Sequence, residues 1–82
     1  VPEAIEAVGA PGEPPRRFRW RRVEHRIAEA DGPERLSPEW WRTPAHEVRD
    51  YYWLQDAEGR RFWVYRLVGR DTPAWYLHGV FA

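Results

Sequence analysis

The chain has 82 residues, enough for one domain, and it lacks cysteine, which excludes disulfides and cysteine-based zinc sites. Thirteen basic residues balance thirteen acidic ones, which argues against an electrostatic grip on nucleic acid by the whole domain. No apolar run approaches the roughly 20 residues of a membrane helix and no signal peptide is recognisable, so a cytoplasmic protein without membrane contact is expected.

Residues 1–15 are predicted to form an extended or disordered linker in front of a small β domain over residues 16–82. Prolines concentrate in this stretch, and proline removes backbone donors and fixes backbone torsions. The chain begins at Val1 and contains no Met, so we expect a piece of a longer protein in which the linker tethers the domain.

The first strand is predicted where large apolar residues alternate with charged ones, between positions 18 and 27. The alternation changes parity by one at Arg21 and Arg22, which predicts a bulge there. The tripeptide Asp31-Gly32-Pro33 has turn chemistry and is predicted to end the strand.

A helical turn is predicted over residues 37–43, because a serine N-cap and a proline at the first helical position open it. Trp40 and Trp41 follow on this turn and must point in different directions. One indole is expected in the core, and the other is a candidate protein-binding anchor together with Arg42. The alternative is that the linker or the barrel covers both indoles.

The clearest element is a hairpin from Arg49 to Leu67, in which two aromatic-rich runs flank a short turn. Gly59 suits the positive-φ position of that turn. The predicted cross-strand pairs are Leu54 with Phe62, Tyr52 with Val64, Trp53 with Trp63, and Tyr51 with Tyr65. Both faces then carry large apolar pairs, so either the hairpin is covered on both sides or one face awaits a partner.

A last strand is predicted over residues 75–81, after a second turn at 69–73. The elements together indicate a mainly β fold: a four-stranded antiparallel meander or small open barrel with one short helical turn. The chain has six Trp, four Tyr and three Phe but few aliphatic residues, so most of the aromatic rings are expected in the core.

Catalytic and metal-binding patterns are missing from the sequence. No hydroxyl residue sits in a recognisable nucleophile motif, and His25, His46 and His78 lack metal-ligand spacing. His78 lies inside an apolar strand, where a lone histidine is more often a hydrogen-bonded structural residue. The sequence therefore predicts no enzyme activity, no metal and no cofactor.

An arginine-rich strand offers a second candidate function. Arg17, Arg19, Trp20, Arg21 and Arg22 could bind single-stranded DNA, with arginines on phosphates and the indole stacked on a base. The competing interpretation is a solvated strand face whose arginine stems cover apolar surface.

Five segments carry a family pattern: Gly32-Pro33-Glu34-Arg35-Leu36, Pro38-Glu39-Trp40-Trp41, Arg49-Asp50-Tyr51-Tyr52, Gly59-Arg60-Arg61-Phe62-Trp63-Val64-Tyr65-Arg66 and Trp75-Tyr76-Leu77-His78-Gly79-Val80-Phe81-Ala82. In this order they resemble the carboxy-terminal tail of ImuB proteins, Y-family DNA-polymerase homologues encoded in bacterial mutagenesis cassettes. With the stretch at 14–20, which is similar to the sequence entering that tail, the resemblance covers about residues 14–82.

The resemblance implies a role in damage-induced translesion synthesis. ImuB-like proteins have a polymerase fold without catalytic carboxylates, and they connect the sliding clamp, a RecA-like partner (ImuA) and an error-prone DnaE-type polymerase. For this chain, the resemblance implies a non-catalytic module that helps assemble the complex of these proteins, the mutasome, with an ImuA-type protein or a DnaE-type polymerase as its partner. A purely structural role, packing on the polymerase-like body, is the alternative.

Overall fold

Six antiparallel strands close into a barrel in the computed structural model, which describes residues 2–10, 12–36, 48–68 and 74–81. Each strand pairs with its sequence neighbours, and the first also pairs with the last, which closes the sheet. The strands are β1 (Glu3–Val8), β2 (Arg17–Trp20), β3 (Val23–Leu36), β4 (Arg49–Asp56), β5 (Arg61–Leu67) and β6 (Trp75–Phe81). The mainly β prediction is confirmed, and no helix occurs among these described residues.

The interior of the barrel is filled by alternate residues of the strands. Tyr52 and Leu54 of β4 face Val64 and Phe62 of β5, and all four are at most 1% exposed. Phe18, Ile5 and Leu77 complete the buried cluster from β2, β1 and β6. Because successive side chains of a strand point to opposite faces, this inward set leaves the odd-numbered residues of β4 and β5 on the outside.

The predicted hairpin is confirmed in its register. All four predicted pairs, from Leu54 with Phe62 to Tyr51 with Tyr65, are cross-strand partners. Gly59 has φ 84° and donates its N–H to the Asp56 carbonyl at 3.1 Å, as a positive-φ turn residue should. The last predicted strand, residues 75–81, is confirmed as β6.

The predicted number of four strands and the open barrel are wrong. Residues 3–8, which were expected in an extended or disordered linker, form β1 and close the barrel between β2 and β6. Only one residue of β1, Ile5, is buried, so its apolar pattern is too weak to predict a strand. The strand is held instead by backbone pairing on both of its edges.

The predicted bulge at Arg21 and Arg22 is wrong as well. These residues have φ 52° and 65°, and they form a two-residue turn between Trp20 and Val23, which are paired. Positive φ at both positions is typical of a type I′ hairpin turn, where Asn-Gly is the usual sequence signal. A pair of arginines carries no such signal, so the change of parity looked like a bulge.

The turn predicted at Asp31-Gly32-Pro33 does not end its strand. β3 continues to Leu36, and the tripeptide produces a register shift between Asp31 and Glu34. Gly32 has φ 121°, and a Cβ there would lie 2.7 Å from the Tyr51 carbonyl oxygen. Glycine is therefore required where β3 crosses close to β4.

A buried carboxylate near the start of β4 contacts side chains near the ends of β3 and β5. Asp50 accepts two hydrogen bonds from the Arg35 guanidinium, at 2.8 and 3.1 Å, and Arg66 lies 3.7 Å from the same carboxylate. The hydrogen bonds from Arg35 lower the pKa of Asp50 although its burial opposes this. The helical turn predicted over residues 37–43, which follows β3 in the chain, lies outside the described residues.

Candidate interaction surface

The outside of β4, β5 and β6 carries a continuous group of rings, which we call the outer aromatic face. Its members are Tyr51, Trp53, Trp63, Tyr65, Tyr76, His78 and Phe81. They follow from the strand alternation, because the inward positions of the same strands are taken by the core. The sequence had indicated this face through the second set of apolar pairs in the hairpin.

The rings of this face contact one another across the strands. The indoles of Trp53 and Trp63 stack, with centroids 5.5 Å apart and planes at 12°. Phe81 contacts Trp53 at 5.5 Å, and His78 contacts Trp63 at 4.6 Å. Such contacts fix ring orientations, so the face is a preorganised surface rather than a set of loose side chains.

The two ends of the outer aromatic face differ in exposure. Tyr51 and Tyr65 are 5% and 4% exposed and form a second buried cluster with Leu67. The other end is open, with Trp53 42% and Phe81 47% exposed. The open end therefore offers the two most accessible apolar rings of the face to a partner.

Polar contacts hold the closed end in place. The Arg49 guanidinium donates to the Tyr51 hydroxyl at 3.1 Å and lies 4.5 Å from the centroid of the Tyr65 ring. The same hydroxyl lies 3.4 Å from Nδ1 of His78. This contact crosses β5 and joins β6 to β4, and the His78 residue itself is exposed.

A groove of about 440 Å³ borders the open end of the face. It is lined by Glu29, Ala30, Asp31, Trp53, Leu54, Gln55 and Arg61. Asp31 is the cross-strand partner of Trp53, and Glu29 is the partner of Gln55. Carboxylates of β3 therefore stand beside the exposed indole.

The arginine-rich strand, which was the candidate nucleic-acid site, meets carboxylates in the folded domain. The Trp20 indole donates to a Glu3 carboxylate oxygen at 2.6 Å, and Arg21 donates to the other oxygen at 2.8 Å. The Arg21 guanidinium also lies 4.7 Å from the centroid of the Trp20 ring. Hydrogen bonds from Arg21 and Trp20 lower the pKa of Glu3, so this carboxylate stays charged.

The remaining predicted arginines also have acidic residues nearby. Arg17 forms an ion pair with Glu24 at 3.3 Å. Arg19 and Arg22 line a second groove, of about 370 Å³, together with Glu6 and Glu24. The structure therefore brings the five predicted nucleic-acid residues together on one hairpin, but alternates them with carboxylates contributed by β1 and β3.

A buried polar pair lies near the turn between β4 and β5. His25 packs its ring on Phe18 at 5.1 Å, and its Nδ1 is 3.7 Å from the Asp56 carboxylate. Burial raises the pKa of Asp56, but hydrogen bonds from the Arg60 and Glu58 amides and the Arg60 guanidinium outweigh it and leave the pKa lowered. In the described part of the chain, no three His, Cys, Asp or Glu side chains could hold a metal ion together.

The predicted protein-binding residues Trp40, Trp41 and Arg42 lie outside the described residues, as does His46. Their role stays a prediction. Sequence reasoning placed the anchor on that turn and named neither Trp53 nor Phe81 as a site residue. The described ranges contain no helix that is long and apolar enough to cross a membrane.

The chain is similar to Protein ImuB from two strains of Caulobacter vibrioides. Each of the two relatives is 46% identical over 92 aligned residues, which cover 98% of this chain and 20% of the relative. The match falls on the carboxy-terminal segment of those proteins, so the chain spans about one fifth of their length. No protein-family model matches the chain, and no solved structure matches it significantly.

Proposed function

The chain is a relative of the carboxy-terminal segment of ImuB proteins, and from this relationship we propose that it is a non-catalytic interaction module of a DNA-damage-tolerance protein. Its contribution is to assemble the mutasome by binding an ImuA-type RecA-like protein or an error-prone DnaE-type polymerase. The observation that carries the proposal is the open end of the outer aromatic face, where Trp53 and Phe81 are nearly half exposed.

The closed barrel limits how a partner can bind. Along most of the barrel each strand has a neighbour on both edges, and a free edge for strand addition occurs among the described residues where 29–36 of β3 pair with β4 alone and 79–81 of β6 pair with β5 alone. On the outer aromatic face a partner meets side chains and no backbone edge, and exposed tryptophan is among the residues that contribute most to protein interfaces. The stack of Trp53 on Trp63 reduces the entropy lost when a partner orders this surface.

Single-stranded DNA is the second candidate ligand, through the hairpin of β2 and β3. Arg19 and Arg22 support it, because they line the groove of that hairpin. Against it stand the carboxylates of Glu3 and Glu24, which engage Arg21 and Arg17. Each such ion pair must be broken or shared before its arginine can neutralise a phosphate, so we favour the protein-binding role.

A co-purification of the domain with each candidate partner tests the proposal. We expect a wild-type domain to capture one of them, and a double variant Trp53→Ala and Phe81→Ala to weaken capture at least about tenfold. The control is Val23→Ala, which truncates an apolar side chain of similar exposure, 52%, on the β2–β3 hairpin. Thermal melting of each variant checks that the barrel remains folded.

Three outcomes would contradict this assignment. Capture of neither partner by the wild-type domain would refute the interaction role and leave packing on the polymerase-like body. Equal loss of capture in the Val23→Ala control would move the interface to the hairpin. Loss only on replacing Trp40 or Trp41, with Trp53 and Phe81 dispensable, would return the anchor to the segment between β3 and β4.

A further inference from the structure

The groove beside Trp53 contains both an indole ring and carboxylate side chains. Glu29 and Asp31 of β3 line it together with Trp53 of β4. Cross-strand partners project from the same side of a sheet, so the pairing of Asp31 with Trp53 places the carboxylate next to the ring. The Gly32 amide donates to the Asp31 carboxylate at 3.0 Å, which restricts where that side chain can point.

We propose that this groove binds an arginine or lysine side chain from the partner protein, with the cation above Trp53 and between the carboxylates of Glu29 and Asp31. The inference rests on the proposed interaction role and specifies the chemistry of the partner at that site. A cation over an indole is favoured by the negative face of the ring, and nearby carboxylates add charge attraction.

The surroundings of Trp53 suit a cation on one side of the ring only. Its other neighbours are Trp63, stacked at 5.5 Å, and Phe81, also at 5.5 Å. These contacts hold the ring so that little side-chain freedom is lost on binding. Of the described residues that line the groove, Arg61 is the one basic residue, and Gln55 of β4 is the cross-strand partner of both Arg61 and Glu29.

The same charges oppose a nucleic acid at this site. A base could stack on Trp53, but its phosphates would approach Glu29 and Asp31, and like charges at close range cost binding energy. Arg17, Arg19 and Arg22 of the β2–β3 hairpin line other grooves than the one beside Trp53. A basic protein segment can interact favourably with both the ring and the carboxylates, whereas single-stranded DNA can stack on the ring but is repelled by the carboxylates.

Indole N–H signals in a ¹H–¹⁵N NMR titration of the 82-residue chain test the proposal. The probe is the peptide acetyl-Gly-Arg-Gly-Arg-Gly-amide, and the matched probe replaces each arginine by citrulline, which has the same shape without the charge. We expect the Trp53 indole to shift with the arginine peptide and to bind the citrulline peptide several-fold more weakly.

Charge variants of the groove should change binding in opposite directions. Glu29→Gln and Asp31→Asn are each expected to weaken the arginine peptide about two- to fivefold, and Asn retains the oxygen that accepts from Gly32. Arg61→Gln is expected to strengthen it by a similar factor, because it removes a like charge. A purely apolar contact would leave all three affinities unchanged.

The proposal is overturned if both peptides bind equally, if the charge variants bind like the wild type, or if the arginine peptide causes no shift at Trp53. A shift at Trp53 by oligothymidylate but not by the peptide would make nucleic acid the occupant. Failure of these titrations while partner capture still depends on Trp53 and Phe81 would refute the cation site alone. Absence of any partner capture would instead refute the proposed function.

Discussion

Two adjacent tyrosines on β4 should respond in opposite ways to loss of the hydroxyl group. Tyr52 points into the core and is 1% exposed, and its buried hydroxyl has no hydrogen-bond partner among the residues that the structure describes. Tyr51 points outward, and its hydroxyl accepts from Arg49 at 3.1 Å and lies 3.4 Å from His78. We therefore expect Tyr52→Phe to stabilise the domain and Tyr51→Phe to destabilise it.

The magnitudes follow from the cost of an unmade hydrogen bond. A buried polar group without a partner destabilises a fold by about 1–3 kcal/mol, and Tyr52→Phe removes this penalty. The packing contacts of the oxygen are lost at the same time, so we expect a net stabilisation of about 1 kcal/mol. Tyr51→Phe loses hydrogen bonding worth about 0.5–1.5 kcal/mol. Burial also raises the pKa of Tyr52, which is consistent with a hydroxyl that stays neutral.

Urea unfolding followed by tryptophan fluorescence, together with thermal melting, measures both variants. For a domain of this size, 1 kcal/mol shifts Tm by about 4–8 °C, so the opposite signs are readily resolved. A Tyr52→Phe variant destabilised by 1 kcal/mol or more would refute the reasoning. That result would mean that a bound water or another group satisfies the hydroxyl inside the barrel.

Two further predictions concern the ends of the barrel and its closest strand crossing. Asp50→Asn should lower the free energy of unfolding by about 1–3 kcal/mol at neutral pH. Urea unfolding should show this difference from wild type shrinking as pH falls below 3.8, because a carboxyl whose pKa is lowered by folding stabilises the fold only while it is ionised. A difference that grows in acid would contradict this sign. Gly59→Ala should lower the stability by about 1–2 kcal/mol because of its φ of 84° alone. Gly32→Ala should lower it clearly more, since the added Cβ would lie 2.7 Å from the Tyr51 carbonyl oxygen. Equal decreases of Tm in the two variants would show that β3 can move away from β4.

The hairpin of β4 and β5 was predictable from sequence because several signals agree there. Gly59 marks the turn, and the four flanking apolar pairs allow one register, which the structure has. Closure of the barrel was not predictable in the same way. β1 buries only Ile5, and its place depends on backbone pairing with β2 and β6, which leaves little trace in the side-chain pattern.

The candidate site was predictable in part. Apolar residues on both faces of the hairpin indicated a second aromatic surface, but not which end of it stays open. That depends on neighbours from distant strands, such as Phe81 beside Trp53 and His78 beside Tyr51. For the arginine-rich strand, the sequence did not indicate that carboxylates would engage it, because Glu3 comes from a segment that was predicted to be linker.

The central claim is that the outer aromatic face, and not the arginine-rich hairpin, is the recognition surface. Its most direct test is the ¹H–¹⁵N spectrum of indole groups as the captured partner protein is added to the labelled domain. Trp53 and Trp63 report on the outer aromatic face, and Trp20, whose indole is bonded to Glu3, reports on the hairpin. We predict that the Trp53 and Trp63 signals shift or broaden while Trp20 is unaffected; a response at Trp20 alone would contradict the account.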